Sequence, residues 1–432
     1  MWTVSGVRTG THARTQVTIT DDRPEALREP THRVSWRFAG ALALAMLANG
    51  LLWNPIQLFL VPKQIAALDP QGKVLGLGLI GVMGTLISIG ATVLTGALSD
   101  RTAGRLGRRR PWIVVGTLLC VPALAWMASA SGVVILLVGF CLLQVVGSAA
   151  YPALLAVLPD RVPLEQRGVL SGLINLTGPV SLLVGILVVT LLVQDIQPAY
   201  TVLITLLLVG SAPFILFREP ALPRASVPPL RLGVFLASFL APFREKDFVW
   251  ANLSRFFMYL AILAPLNYLL YWITDALHYR GQAADALFAM LTLLVSLVAA
   301  VASLVGGWLS DRGGRRKAFV IAAGLIVAVS LAGVGFSSDA QHALVWAGVL
   351  GVGYGAYFGV DLALLTQVLP NREDHGKDLG VAYVPFASPQ AVAYVVAAAI
   401  VAAFHNYLAL FLLAAVAALV GAGLVQLIRG VR

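Results

Sequence analysis

Apolar runs of about twenty residues recur along this chain, and no other feature constrains its fold as tightly. A bilayer core of roughly 30 Å needs about twenty apolar residues of helix to cross it. Twelve such runs are readable, at 38–61, 74–97, 112–130, 133–158, 169–194, 199–217, 249–274, 283–309, 318–336, 342–369, 381–404 and 406–428. Backbone polar groups inside hydrocarbon find partners only within a helix or a closed barrel, and runs of this length predict helices. Of 432 residues, 59% are hydrophobic and 12% charged, with a mean hydropathy of +0.86. Soluble domains carry about 25% charged residues, so a soluble fold is excluded. The expected class is an all-α polytopic membrane protein.

The net charge of +10 would suit nucleic acid, but its distribution does not. With both termini cytoplasmic, 26 of the 30 Lys and Arg fall in tails and inner loops; Lys63, Lys73 and Arg280 fall outside, and Arg255 within a span. That is the positive-inside bias of a multi-pass protein, here expected in the plasma membrane with anionic lipids as partners. Residues 1–37 hold no apolar run, which predicts a solvated cytoplasmic tail rather than a cleaved leader, and 429–432 form the other tail. Cys120 and Cys141 both lie inside spans and read as small apolar residues.

Two cationic stretches echo each other, "GALSDRTAGRLGRRRPWIVVG" at 96–116 and "GGWLSDRGGRRKAFVIAAG" at 306–324. Gly96, Leu98, Ser99, Asp100 and Arg101 recur as Gly307, Leu309, Ser310, Asp311 and Arg312, 211 residues on, and the same offset carries "VLPDR" (157–161) onto "VLPNR" (368–372). Two matches at one spacing predict a duplicated unit of six spans, 38–217 and 249–428. Between them, 218–248 has five prolines and charged edges and reads as a cytoplasmic linker.

The first stretch resembles the signature between spans 2 and 3 of the major facilitator superfamily, over essentially the whole chain. Its tail, "GRRRPWI" (107–113), is similar to the corresponding loop of sucrose transporters and, more loosely, of glycoside–pentoside–hexuronide cation symporters. The resemblance implies two pseudo-symmetric six-helix bundles and transport by alternating access. It further implies that Asp100, Arg101, Arg105, Arg109, Asp311 and Arg312 latch the cytoplasmic side when the opposite side is open. Gly96, lacking a side chain, would let a neighbouring helix approach. The plainer reading of these arginines is orientation and binding of lipid headgroups.

An ionisable residue inside a span costs roughly 2.5–3.5 kcal/mol on insertion scales, which makes each a functional candidate. Two stand out, Arg255 in span 7 and Asp361 in span 10. Asn252, Arg255 and Tyr259 share one helical face, as do Tyr354, Tyr357 and Asp361. Paired, Arg255 and Asp361 would either move a proton or hold two helices statically. In the first half, Asn49, Trp53, Asn54 and Gln57 in span 1, Gln144, Ser148 and Tyr151 in span 4 and Asn175 and Thr177 in span 5 present amides, hydroxyls and rings suited to a neutral sugar; span 11 offers Tyr383, Gln390 and Tyr394. Amides of this kind also join helices with no substrate present. Thr85, Ser88, Thr92 and Thr95 in span 2 read as helix packing. Gly178-Pro179 is weakly similar to a drug-antiporter motif, whose following glycine pair is replaced by Ser181 and Leu182.

Asp69, Asp100, Asp160, Glu165 and Asp195 all fall at span ends or in loops, so the carboxylates that sucrose and melibiose-type symporters place in their first half are missing. No catalytic set, phosphate loop or metal-ligand spacing is present, so an enzyme, a cofactor and a bound metal are not expected. The reading that best joins these features is a monomeric secondary transporter taking up a sugar or glycoside with a proton. Export of a hydrophobic drug or natural product, and uncoupled facilitation, are the alternatives.

Overall fold

The computed structural model describes residues 30–192, 195–222, 245–313, 316–368 and 383–428. They form α1 (Trp36–Leu68), α2 (Lys73–Arg101), α3 (Arg110–Ala128), α4 (Val133–Arg161), α5 (Leu164–Leu187), α6 (Ile196–Ile215), α7 (Lys246–Asp275), α8 (Gly281–Gly313), α9 (Arg316–Gly335), α10 (Ala340–Val368), α11 (Tyr383–Phe404) and α12 (Tyr407–Leu424). Among the described residues eleven helices are long and apolar enough to cross a membrane, and α11 contributes the apolar stretch Ser388–Phe404. No strand is found among them; one isolated bridge pairs Gly104 with Leu222.

Local chemistry sets the boundaries. Ser35 caps α1, its Oγ accepting from the Phe38 N–H at 3.3 Å, and Asn406 caps α12 by accepting from Leu408 at 2.8 Å. Pro111 opens α3, where a missing N–H costs nothing. The first helix runs two turns beyond the expected 61. Pro55 and Pro62 each remove a donor from its ladder, and five of the six residues between, Ile56–Leu60, form a π turn rather than a break. The second helix continues to Arg101, so Asp100 stands in its last turn.

Packing repeats with a period of six helices. The pairs α1·α5, α1·α6, α2·α4, α3·α4 and α3·α6 of the first half recur as α7·α11, α7·α12, α8·α10, α9·α10 and α9·α12 of the second. The halves meet through α2·α11 and, less extensively, through α5·α8, again equivalent pairs. In the second half, Gly355 and Gly359 of α10 lie directly on the α8 backbone at Ala299 and Ser303, where a Cβ would collide. Gly96 has nothing near its missing side chain, so the close approach expected there is absent. Its counterpart Gly307 sits 3.5 Å, measured from an added Cβ, from the Gly359 carbonyl.

Polar contacts joining the halves gather at the end away from the 101–110 loop. Lys63 at the end of α1 pairs with Asp285 of α8 at 2.6 Å, and Lys73 of α2 with Asp275 of α7 at 2.5 Å. The Tyr271 hydroxyl donates to the Pro62 carbonyl at 2.9 Å, and Tyr268 to Val74 at 3.1 Å. Phe59 stacks on Phe288 with centroids 5.4 Å apart, Lys63 lies over Phe59, and Tyr407 donates to Asp275 at 2.8 Å. Gly78 and Gly81 let Ala398 and the Tyr394 ring of α11 press onto α2. The aromatic ring contact and both ion pairs thus join the halves at this end. Asp285, buried inside the eighth expected span, is an intramembrane charge that sequence reasoning did not single out.

Candidate functional site

Four groups of the expected residues separate in space. In the first, Arg255 Nη2 of α7 meets Asp361 Oδ2 of α10 at 3.0 Å, with side chains 11% and 9% exposed. Arg255 lies nine residues from the start of α7 and Asp361 seven from the end of α10, so both sit about 10–13 Å in from the same end. One turn before Asp361, the Tyr357 hydroxyl donates to its other oxygen, Oδ1, at 3.0 Å. The Arg255 guanidinium stands 5.6 Å from the Tyr259 ring centroid, and Tyr259 meets Tyr357 edge-on at 6.3 Å. Tyr354 stacks obliquely on Phe358 at 6.0 Å, one turn from Tyr357. Asn252, 4% exposed, donates to the Phe248 carbonyl at 2.8 Å, while its Oδ1 is buried with no hydrogen bond. The carboxylate is shared between a cation and a phenol, and the cation is backed by a π face, which suits a buried charge.

The second group bridges the halves. Gln57 Nε2 of α1 donates to Tyr394 Oη of α11 at 3.3 Å, and Gln390 Nε2 donates to Asn267 Oδ1 of α7 at 3.3 Å. Asn267 is 1% exposed and its Nδ2 has no hydrogen-bond partner; it was not in the expected set. Tyr383 begins α11, but its side chain lies outside the described residues.

The third group is helix packing inside the first half. Asn54 Nδ2 donates to Ser181 Oγ of α5 at 3.0 Å, and Asn49, buried, turns back to the Ala45 carbonyl at 3.4 Å. The Trp53 indole occupies the space above Gly147 of α4, and Gln144 is buried beside Gly84 of α2. Thr95 donates to the Ser148 carbonyl at 2.7 Å, and Thr92 to Ser148 Oγ at 3.4 Å, the packing role expected of that threonine row. Tyr151 is 38% exposed and Asn175 is exposed. Two of the amides expected to line a cavity are thus bonded inside the bundle, Asn54 to Ser181 and Asn49 to its own helix.

The fourth group is the cationic loop. Arg109, 6% exposed, reaches Asp100 at 2.5 Å, Asp160 of α4 through Nε at 2.8 Å and Ser99 Oγ at 2.9 Å. Arg108 meets Asp160 at 2.7 Å. Burial works against the Arg109 charge, yet Asp160 and then Asp100 beside it hold its pKa above the ordinary value. Glu219, just past α6, caps α3 by accepting from the N–H groups of Arg109 and Arg110 at 2.9 and 2.8 Å. Gly107 turns there with φ +85°, a conformation glycine adopts freely. Arg101 folds back on the Ala97 carbonyl and Arg105 is exposed. Arg312 stacks on Trp308 at 4.0 Å, and the Asp311 side chain lies outside the described residues. Asp160 and Glu219 were missed as partners. Asp160 had a signal, the "VLPDR" that repeats as "VLPNR"; Glu219 had none.

Among the described residues, no group of three or more His, Cys, Asp or Glu that could hold a metal is present.

The family model described as Major Facilitator Superfamily matches residues 38–295 and again 253–432. A solved mutant of the peptide transporter POT superposes with a TM-score of 0.73 over 94% of this chain and 98% of its own, at 13% identity. The same protein in complex with sulfate gives 0.71 over 93% and 96%, also at 13%. A probable 4-methylmuconolactone transporter of Cupriavidus pinatubonensis is 36% identical over 115 residues, 25% of this chain and 26% of that protein. The MFS-type transporter opdF of Penicillium oxalicum is 25% identical over 136 residues, 31% of each. The matches thus span about a quarter to a third of these curated relatives. With the family model matched along nearly the whole length, a six-helix packing pattern used twice and the peptide-transporter fold, the chain belongs to the major facilitator superfamily and is a multi-pass membrane transporter, not an enzyme.

Proposed function

We propose that the chain is a proton-coupled secondary transporter working by alternating access, with Asp361 as the proton site and Arg255 as its reversible partner. The observation that carries this is the 3.0 Å pair between α7 and α10, buried well inside the bundle with the Tyr357 hydroxyl on its second oxygen. Breaking a buried pair by removing one partner costs about 3–5 kcal/mol, because the other charge is left uncompensated. A proton arriving at Asp361 therefore changes what Arg255 must bind, which links protonation to solute and to helix movement.

The end bearing the 101–110 loop and both termini faces the cytoplasm of a plasma membrane, as the charge bias argues. The end where the halves are joined is then external and sealed, and the conformation described is inward-facing. Consistent with that state, Arg108 and Arg109 pair within their own half with Asp160, and Arg109 also with Asp100. The remaining latch residues, Arg101, Arg105, Asp311 and Arg312 with Gly96, close the cytoplasmic end when the outer seal opens. For the solute, uptake of a sugar or glycoside is supported by the Gly-Arg-Arg-Arg-Pro-Trp loop. Support from the amides is reduced, since Asn54 and Gln57 are bonded to Ser181 and Tyr394. One relative is named for a lactone, and its match covers only a quarter of the chain.

The test is uptake into proteoliposomes loaded with a pH-reporting dye, over a panel of sugars, glycosides, lactones and carboxylates. The wild-type protein should acidify the lumen with one solute class and accumulate it uphill. Asp361→Asn should abolish accumulation and keep counterflow exchange. Full accumulation by that variant would refute the proton site, transport with no proton movement would identify a facilitator, and proton movement opposite to solute would identify an exporter.

A further inference from the structure

We infer that the Tyr394 hydroxyl is a built-in stand-in for a hydroxyl of the solute. The two take turns on the Gln57 amide, Tyr394 when the outer end is closed and the solute when it is open. This deepens the sugar reading above and rests on it.

The bond across the seam shows what Gln57 is placed to bind. Its Nε2 donates to Tyr394 Oη at 3.3 Å, an amide giving a proton to a neutral hydroxyl, which is the contact a sugar hydroxyl accepts. Tyr394 reaches it from the other half. Its ring lies flat on the α2 backbone at Gly81, where an added Cβ would stand 2.3 to 2.4 Å from three ring carbons, and the residue is 1% exposed. Gln57 itself is only half-buried, although it stands eleven residues, about 16 Å, from the outer end of α1, so space remains beside its amide.

A second donor belongs to the same cluster. Gln390, one turn before Tyr394 on α11 and also half-buried, donates to Asn267 Oδ1 at 3.3 Å. That leaves Asn267 Nδ2, on a side chain 1% exposed, with no hydrogen-bond partner. A buried donor left without an acceptor is costly, and an oxygen of the solute would remove that cost. Gln57, Gln390, Asn267 and Tyr394 carry no charge, which suits a neutral polyhydroxyl solute offering two acceptor oxygens.

The place of Tyr394 ties the exchange to the state of the outer end. A ligand shifts a two-state equilibrium only by its differential affinity for the two states. While α11 lies on α2, the slot at Gly81 holds the Tyr394 ring and its hydroxyl fills the Gln57 amide. Parting the halves at that end withdraws Tyr394 from Gln57 and frees the donor for a solute arriving from outside. Return of α11 to α2 brings the phenol back as a competitor and releases the solute inward. The outward-facing form therefore binds the solute more tightly than the inward-facing one.

The test is titration calorimetry of the full-length protein in lipid nanodiscs, with sucrose, cellobiose and phenyl β-D-glucoside as probes and tetraphenylphosphonium as a hydroxyl-free control. Tyr394→Phe keeps the ring and removes the competitor. At least one sugar should bind this variant about threefold to tenfold more tightly than wild type, the worth of one hydrogen bond. Spin labels at Gln71 and Gln282, in a background without Cys120 and Cys141, should report the same distance in both empty proteins, because the Lys63–Asp285 and Lys73–Asp275 pairs are untouched. In counterflow the variant should show a lower KM and a lower maximal rate, a split that a loosened scaffold does not give. The double variant Gln57→Leu with Tyr394→Phe, which leaves neither group unpaired, should fold and bind that sugar more weakly than wild type. Unchanged or weaker sugar binding by Tyr394→Phe, an opened outer end in that empty variant, a gain that survives Gln57→Leu, or binding of tetraphenylphosphonium alone would each overturn the inference. So would binding of none of the probes. Uphill, proton-linked sugar accumulation with unchanged affinity in Tyr394→Phe would overturn it and leave the proton site standing. A gain in Tyr394→Phe with no proton movement would uphold it and overturn the proton site instead.

Discussion

Replacing Asp285 with Asn removes the ion pair that ties α1 to α8 and should open the sealed end. Lys63 and Asp285 lie 2.6 Å apart, with side chains 28% and 10% exposed, so solvent screens the bond only in part. A charge-assisted bond of this kind contributes about 1.5–3 kcal/mol net. The substitution keeps side-chain size, the Lys63 ammonium stays over the Phe59 ring at 5.1 Å, and the second pair, Lys73–Asp275, is untouched. A loss of about 2 kcal/mol is therefore the expectation, or about thirtyfold in the ratio of sealed to open conformers. A population at 30:1 would become evenly split. The assay is the distance distribution between spin labels at Gln71 and Gln282, both exposed, one in each half beside the seal. Cys120 and Cys141 are replaced by alanine beforehand. The variant should show a second, longer distance of comparable weight, and the charge swap Lys63→Asp with Asp285→Lys should restore the short one. A single unchanged distance in Asp285→Asn would refute the argument that this pair holds the seal.

Two further changes test packing against pattern. Gly81→Leu should force α11 from α2, because even a Cβ there collides with the Tyr394 ring, and should lower the apparent melting temperature by several degrees. Gly96→Ala, with nothing near the added methyl, should leave it within a degree or two. An unfolded Gly96→Ala with a normal Gly81→Leu would invert the reasoning. Glu219→Ala should cost about 1–2 kcal/mol by uncapping α3, read as lower thermal stability, while Glu219→Gln recovers part through one acceptor oxygen. Equal stability of all three proteins would remove Glu219 from the cap.

Much of the fold was legible because the bilayer simplifies the physics. A span must be apolar for about thirty ångströms and helical throughout, so all twelve runs emerged from hydropathy alone. The repeated Gly-x-Leu-Ser-Asp-Arg disclosed the duplication, and Arg255 and Asp361 declared themselves as charges that hydrocarbon tolerates only in partnership. Their pairing was guessed from cost, and the geometry that makes it usable, Tyr357 on the second oxygen, followed from one-turn spacing on α10.

Tertiary structure decided what periodicity leaves undetermined. Helical spacing says which side chains share a face, but not whether that face meets a cavity, a lipid or another helix. Asn54 and Gln57 thus became inter-helix bonds, and Trp53 became packing over Gly147. The outer seal was invisible for a related reason. Lys63 and Asp285 are 222 positions apart and sit two residues beyond and two residues into their spans, where a charge normally ends at the water. Only the contact of the two halves turns those span ends into a buried interface and their charges into a bond.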